Sequence, residues 1–485
     1  MRSINTTAKS KSAAAPPLIV AAIFCVLIAG GCHKSNKSVH RGPLQPCQLP
    51  GIEEKLWCGK LTVPENRQTR VGRTIDLNVV VVPTLDPGAN EAPMFDLAGG
   101  PGVAATGGAN FYAHEGKEYR RRRDVVLVDQ RGTGKSNPLT AAPRQKSPQD
   151  YLTALEQKAD LTQYTTSIAM DDLDDVRAWL GYERIDLFGL SYGTRAALVY
   201  LRQHPAHVRS VVLMGAAPTY LKMPSHHARA AQRAMDLLLE ECARDAGCKQ
   251  AFPQLRREWD DVLARLQSEP ARVAYAAPDK SGEVMVELLA EVFAEKLRTR
   301  MYSPEGARRV PLVIHQAAQG DFGPFLEMII PQDRSAPDFL ADGMYLSVTC
   351  AEDVPFIDQA EVAKFNTDNP FGNYRVFQQS RACSLWPQGK IPGDYHDPVR
   401  SDVSVLIVSG RMDPVTPPEW GEEVARYLPN SRHVIVSNHA HMPEGLTNIR
   451  CLDNLMLDFL SKGDARDLDV ACVEQMLPPP FATNK

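Results

Sequence analysis

The chain has no surplus of charge of either sign. Its formal balance is −4 over 485 residues with acids and bases intermixed, so it lacks the basic footprint that a phosphate backbone requires, and nucleic acid is not expected as a partner. It has no internal repeat and no heptad pattern, which excludes a solenoid or a coiled coil. The histidines lack the spacing of a metal-ligand cluster, so neither a metal nor another cofactor is expected. One stretch imitates a nucleotide site: VVLVDQRGTGKSNP, Val125 to Pro138, ends in Gly134-Lys135-Ser136 as a phosphate-cradling loop does. Such a loop needs glycine five positions before Gly134, where Asp129 stands, and a helix starting at Lys135, where Pro138, Pro143 and Pro148 follow instead. Nucleotide binding is therefore not expected either. With 44% hydrophobic residues the chain is ample for a large core.

A membrane-spanning apolar run is also missing from the amino terminus. Arg2, Lys9 and Lys11 precede Leu18 to Ala29, about a dozen residues where a spanning helix needs roughly 20. This is the pattern of an export signal over residues 1–31. It ends in Ala29-Gly30-Gly31-Cys32, like a bacterial lipoprotein signal cut before Cys32 so that the sulfur can carry lipid, although Ala29 stands where leucine is usual; a plain secretory signal is the alternative. Residues 32–45, including HKSNKSVHRGP, are polar and aperiodic, as suits a tether. The expectation is an exported protein of the periplasm or cell envelope, held to a membrane by lipid. Without Cys25 of the leader and Cys32, eight of the ten cysteines remain for an oxidising compartment. They fall into close couples, predicting bridges Cys47–Cys58, Cys242–Cys248, Cys350–Cys383 and Cys451–Cys472.

Beyond the tether, Lys60 to Glu65 and Thr74 to Val82 read as antiparallel edge strands. Short apolar runs follow at Met94 to Ala98, Val125 to Val128, Ile185 to Gly189 and Val211 to Met214, the type buried on both faces of a parallel sheet. Between them, Ile168 to Trp179 and Tyr192 to Gln203 carry helical periodicity. From Pro218 the rhythm changes to long amphipathic helices, one with Leu255, Trp259, Val262, Leu263 and Leu266 on a single face. Strand patterns return at Val403 to Gly410 and His433 to Val436. The reading is an α/β fold, its first part at 46–217, interrupted by a helical cap insertion at 218–345 and resumed at 346–485.

Gly189-Leu190-Ser191-Tyr192-Gly193 is a G-x-S-x-G pentapeptide between a strand and a helix. A sharp turn there exposes Ser191 at the carboxyl edge of the sheet, with a helix amino terminus behind it to favour an oxyanion. Serine needs a base, and the base an orienting acid. With the order serine, acid, histidine, Asp413 follows a later strand in VLIVSGRMDPVTPP, and HVIVSNHAHMP offers His439 and His441, either of which meets the requirement. His433 opens its strand and is a weaker candidate.

These motifs, with LAGGPG at Leu97 to Gly102, DQRGTGKS at Asp129 to Ser136, TCAEDVPF at Thr349 to Phe356, SGRMDPVTP at Ser409 to Pro417 and CxxNLxxxFL at Cys451 to Leu460, resemble the α/β-hydrolase family of prolyl and tripeptidyl aminopeptidases. The resemblance implies an α/β-hydrolase fold with an inserted cap and a tripeptidyl-aminopeptidase-like carboxyl-terminal part. It implies an oxyanion hole from the amides of Gly100 and Tyr192, and it favours His441, which follows Ala440, over His439. Ala98 stands where prolyl iminopeptidases carry histidine, which points toward the tripeptidyl branch. An exopeptidase must hold a free amino terminus, and Glu352 and Asp353 are the expected carboxylates. Asp129 and Arg131 are expected to tie loops together rather than touch substrate. The implied activity is release of amino-terminal residues or short peptides from small peptides through an acyl-enzyme. The competing readings are a carboxylesterase acting on small or lipid esters and a catalytically silent surface binding protein.

Overall fold

The computed structural model describes residues 42–484 apart from Asn90, 141–146, 277–281, 330–339 and 367–368. The leader, Cys32 and the tether as far as Arg41 lie outside the described residues.

Among the described residues eleven strands are formed: β1 (Gln45–Cys47), β2 (Leu56–Pro64), β3 (Thr74–Val82), β4 (Met94–Leu97), β5 (Val125–Val128), β6 (Ile185–Leu190), β7 (Val208–Met214), β8 (Ala271–Ala276), β9 (Glu283–Leu288), β10 (Ser404–Gly410) and β11 (Ser431–Val436). Nine of them make one sheet in the order β1-β2-β3-β5-β4-β6-β7-β10-β11. The edge from β1 to β3 is antiparallel, and β5 through β11 pair in parallel. Side chains alternate between two cores: Val405 and Ile407 join one face with Leu187, Val211 and Leu213, while Leu406 and Val408 join the other with Val212 and Met214. Both faces are covered, which is why these short strands are mostly apolar rather than alternating. Helices Thr166–Trp179 and Tyr192–Gln203 cover the first face, and Arg450–Lys462 packs on the second.

From β4 the chain crosses to β5 on one side, then returns to place β6 on the other, so the strand order reverses around β4. In open α/β sheets the crevice at such a reversal, beyond the carboxyl ends of the strands, is where ligands bind. Register brings those ends level: Leu97 of β4 lies opposite Gly189, Leu190 opposite Met214, Met214 opposite Val408, and Gly410 opposite Val436.

The excursion between β7 and β10 has its own core, with Met235, Leu238, Trp259, Phe293 and Phe325 at its centre. It is helical except for the antiparallel hairpin β8–β9, which the helical periodicity of this region did not reveal. Helix Asp342–Glu352 instead packs Met344 and Val348 into the sheet core. All four expected disulfides are present. Cys350–Cys383 joins helix Asp342–Glu352 to helix Tyr374–Cys383, and Cys451–Cys472 fastens helix Arg450–Lys462 to the carboxyl-terminal turn.

The nucleotide-like loop is tied up internally. Asp129 is fully buried and accepts bonds from the Asn78 side chain, the Thr106 amide and hydroxyl, and the Lys135 amide, at 2.9–3.0 Å. Ser136 Oγ accepts from the Asn78 amide at 2.8 Å. Its polar groups therefore bind neighbouring chain, and no phosphate cradle is left.

Candidate active site

Ser191 lies between β6 and helix Tyr192–Gln203 with φ 58° and ψ −123°. A non-glycine residue held there costs on the order of 1–3 kcal/mol, so the surroundings must enforce it. Three bonds do: the Ser191 amide donates to Met214 O at 2.9 Å, while Ser191 O accepts from the Thr194 amide at 2.9 Å and its hydroxyl at 2.6 Å. The flanking glycines are steric requirements, since a Cβ on Gly193 would fall 1.9 Å from Leu97 O and one on Gly189 would fall 2.4 Å from Gly193 O. The motif thus packs the elbow directly against the end of β4. Gly99 is its neighbour, and a Cβ there would stand 3.5 Å from that of Ser191. Tyr192 opens the helix, where amides have no intrahelical acceptor, and Gly100, next in the chain after Gly99, holds φ 111°.

Asp413 follows β10 and is fully buried. Its Oδ1 accepts from the Val415 and Thr416 amides at 2.8 and 2.9 Å, and its Oδ2 accepts from Thr416 Oγ1 at 2.8 Å and lies 2.8 Å from His441 Nδ1. Burial alone would raise its pKa; His441 and the bonds from Thr416 outweigh it and hold the carboxyl below its ordinary value. The turn Asp-Pro-Val-Thr therefore serves as a socket for a carboxylate that keeps one oxygen for histidine.

His441, after β11, is the histidine brought to Asp413. His439 turns away: Nδ1 meets Ala440 O, Nε2 has no partner, and burial lowers its pKa to about 4. His433 contacts Ser409 Oγ at 2.9 Å from within the strand. Thr416, unmarked in the sequence reading, also stands 3.1 Å from His441 Nδ1. Its signal was present as the threonine three positions after Asp413, where a hydroxyl can cap the same turn.

Glu352 and Asp353 depart from expectation. Both are fully buried at the end of helix Asp342–Glu352 beside Arg195 of the elbow helix, with their oxygens bound within the protein. Asp353 accepts from Arg195 Nη1 with both oxygens, at 2.8 and 3.0 Å. Glu352 accepts from the Thr166 amide at 2.6 Å, from the Thr166 hydroxyl at 2.8 Å and from Tyr395. Burial lifts its pKa to about 7. The same Thr166 hydroxyl is 2.8 Å from the Tyr192 phenol, so these carboxylates brace the nucleophile elbow from behind. A buried arginine needs counter-charge, and this requirement consumed the acids that the sequence offered for an ammonium group.

The structure also gathers a histidine group that spacing did not suggest. Asp174, His204 and His207 present ligand-type atoms within 4.8 Å of one another, among the described residues. Asp174 Oδ1 already accepts from His207, Tyr200 and Arg177 at 2.6–2.8 Å, so the carboxylate is committed to a hydrogen-bond network.

An elbow serine after β6, an acid after β10 and a histidine after β11, all at one sheet edge, are the arrangement of the α/β hydrolases, and this chain has the α/β-hydrolase fold. The family model described as alpha/beta hydrolase fold matches residues 97–282, and that described as TAP-like protein matches residues 368–472. Among curated relatives, the serine protease Hip1 of Mycobacterium tuberculosis is 22% identical over 456 residues, covering 84% of this chain and 87% of that protein. The tripeptidyl aminopeptidase of Streptomyces coelicolor is 23% identical over 473 residues, covering 88% and 85%. A probable proline iminopeptidase of Streptomyces coelicolor is 36% identical over 125 residues, 26% of this chain and 33% of that one.

Proposed function

We propose that the chain is a serine peptidase that releases amino-terminal residues or short peptides from small peptide substrates. The carrying observation is the Asp413–His441 pair, set on the same sheet edge as the strained Ser191 elbow. The names of the relatives and the TAP-like match support peptides as the substrate class. Ser191 Oγ attacks the scissile carbonyl while His441 Nε2 takes its proton, and Asp413 fixes the proton on Nδ1 and stabilises the imidazolium. The amides of Tyr192 and Gly100 receive the oxyanion; one such donor is typically worth about 3–4 kcal/mol. His441 then protonates the leaving amine, and water, deprotonated by the same imidazole, hydrolyses the acyl-enzyme.

A panel of aminoacyl- and tripeptidyl-amides beside p-nitrophenyl esters tests this reading, with fluorophosphonate labelling of Ser191 run in parallel. Amide turnover that is lost in Ser191→Ala is the expected result. Ester turnover alone would replace the peptidase by an esterase, and a folded protein that resists labelling would indicate a silent binding protein.

The leader supports export and a lipid on Cys32, with the tether holding the enzyme at a membrane surface. Among the described residues no helix is long and apolar enough to cross a membrane. Radiolabelled palmitate fed to the producing cells is expected to mark the wild-type chain and not Cys32→Ala; equal labelling of both would refute the anchor.

A further inference from the structure

The cap brings a second polar cluster to the catalytic histidine. Tyr302 sets its ring edge-on to His441, with centroids 5.0 Å apart. Its hydroxyl accepts from Arg298 Nη1 at 3.1 Å, and Arg298 grips the Glu295 carboxylate through Nε and Nη2 at 2.8 and 2.6 Å. Arg375, from helix Tyr374–Cys383, reaches the same carboxylate only at 3.5 Å, and its Nη2 donates to the Tyr345 hydroxyl at 3.2 Å. Tyr345 belongs to helix Asp342–Glu352, whose start is bonded to the oxyanion loop through the Ala341 amide and Gly102 O at 3.0 Å. The cluster thus touches both halves of the catalytic machinery.

Two features set it apart from an ordinary buried ion pair. Among the described residues Glu295 is the only ion-pair partner of Arg298 and Arg375, so within them two guanidinium groups share one carboxylate and positive charge is in excess. Arg375 Nε, the atom that stands 3.5 Å from Glu295, completes no hydrogen bond with it or with another described group. His227, 8% exposed at the start of helix His227–Arg244, has no partner on either ring nitrogen. Burial, followed by the fields of Arg298 and Arg375, drives its pKa well below the usual range. It is therefore a neutral ring with one donor and one acceptor unused. The unsatisfied nitrogens of buried His227 are costly without a group to complete them, and Arg375, whose side chain is 35% exposed, offers beside them a guanidinium that is best completed by a carboxylate.

We propose that Arg375, with Arg298 and His227 beside it, forms a subsite for a carboxylate carried by the peptide substrate, either its free carboxyl terminus or an acidic side chain. This rests on the peptidase reading and adds a substrate class to it: short peptides that are anionic at a fixed distance from the scissile bond. Glu295 holds the guanidinium groups in place, and the surplus charge meets the substrate.

The test uses two matched peptide pairs, one differing only as C-terminal acid against C-terminal amide, the other only as Glu against Gln. In one pair the carboxylate member is expected to show a KM about tenfold lower, the size of one charge-assisted bond. Which pair responds identifies the source of the carboxylate. Arg375→Gln should collapse that preference toward one, and Arg375→Lys should restore part of it. Equal KM values within both pairs for the wild-type enzyme overturn the subsite while leaving the peptidase intact, as does a preference that survives in Arg375→Gln. No cleavage of any peptide by a protein whose Ser191 still reacts with fluorophosphonate overturns the peptidase reading and the subsite with it.

Discussion

Asp413→Asn is expected to lower kcat/KM by about four orders of magnitude, roughly 5 kcal/mol of transition-state stabilisation, without unfolding the protein. The size follows from the socket. Oδ1 accepts from two backbone amides, those of Val415 and Thr416. An asparagine keeps its carbonyl oxygen on them, because its NH2 has no acceptor there. The NH2 is then forced onto the Oδ2 position, 2.8 Å from His441 Nδ1. Facing a donor, Nδ1 must accept, so the imidazole proton moves to Nε2. The nitrogen that should take the Ser191 proton is then already protonated. Thr416 does not rescue the geometry, since its hydroxyl can turn to accept from the new amide and stabilises the wrong tautomer. Steady-state kinetics on the best substrate of the panel, with a thermal melt as control, checks the outcome. A loss smaller than about tenfold would mean that Asp413 does not set the tautomer.

The second large effect is on stability. Arg131→Ala should remove about 3–5 kcal/mol, the usual consequence of taking one partner from a buried pair. Arg131 is fully buried and donates to both oxygens of Asp172, at 2.6 and 2.8 Å, and to Glu65 O and Gln163 O at 2.8 Å each. Alanine strands both carbonyls and leaves Asp172 with Arg67 alone, 2.8 Å away. Burial already raises the Asp172 pKa against the pull of Arg131 and Arg67, so the orphaned carboxyl takes up a proton more readily. Because it is then protonated in the folded state at pH values where it ionises in the unfolded chain, the deficit should widen as pH rises. Urea denaturation at two pH values measures this. Altered preference among peptides with unchanged stability would instead give Arg131 a place at the substrate, and Arg131→Lys, keeping the charge but not the fork, should fall between the two proteins.

The candidate constellation was readable in the chain because its serine and its acid are each held by local geometry. Gly189 and Gly193 flank Ser191 since any side chain would strike backbone, and Asp413 sits in a turn whose own amides bind it. The sheet was legible for a related reason: strands covered on both faces are mostly apolar, and the exceptions, such as Asp186, are bonded to buried partners. The hairpin β8–β9 was not, because its exposed Val284 and Met285 carry no burial pattern to read.

Sequence alone determined the α/β character of the fold and the pairing of the cysteines, and it singled out Ser191 and Asp413 as candidates, all from neighbours a few residues away or from composition. Tertiary structure decided between His439 and His441, since both occupy one loop and only the approach of β10 to β11 selects which ring meets Asp413. It also bound Asp353 to Arg195 and Glu352 to Thr166 and Tyr395, and it gathered Arg298 and Arg375 around Glu295, with Tyr302 against His441. Charge balance in a buried space is a property of everything that converges there, and no stretch of sequence contains it.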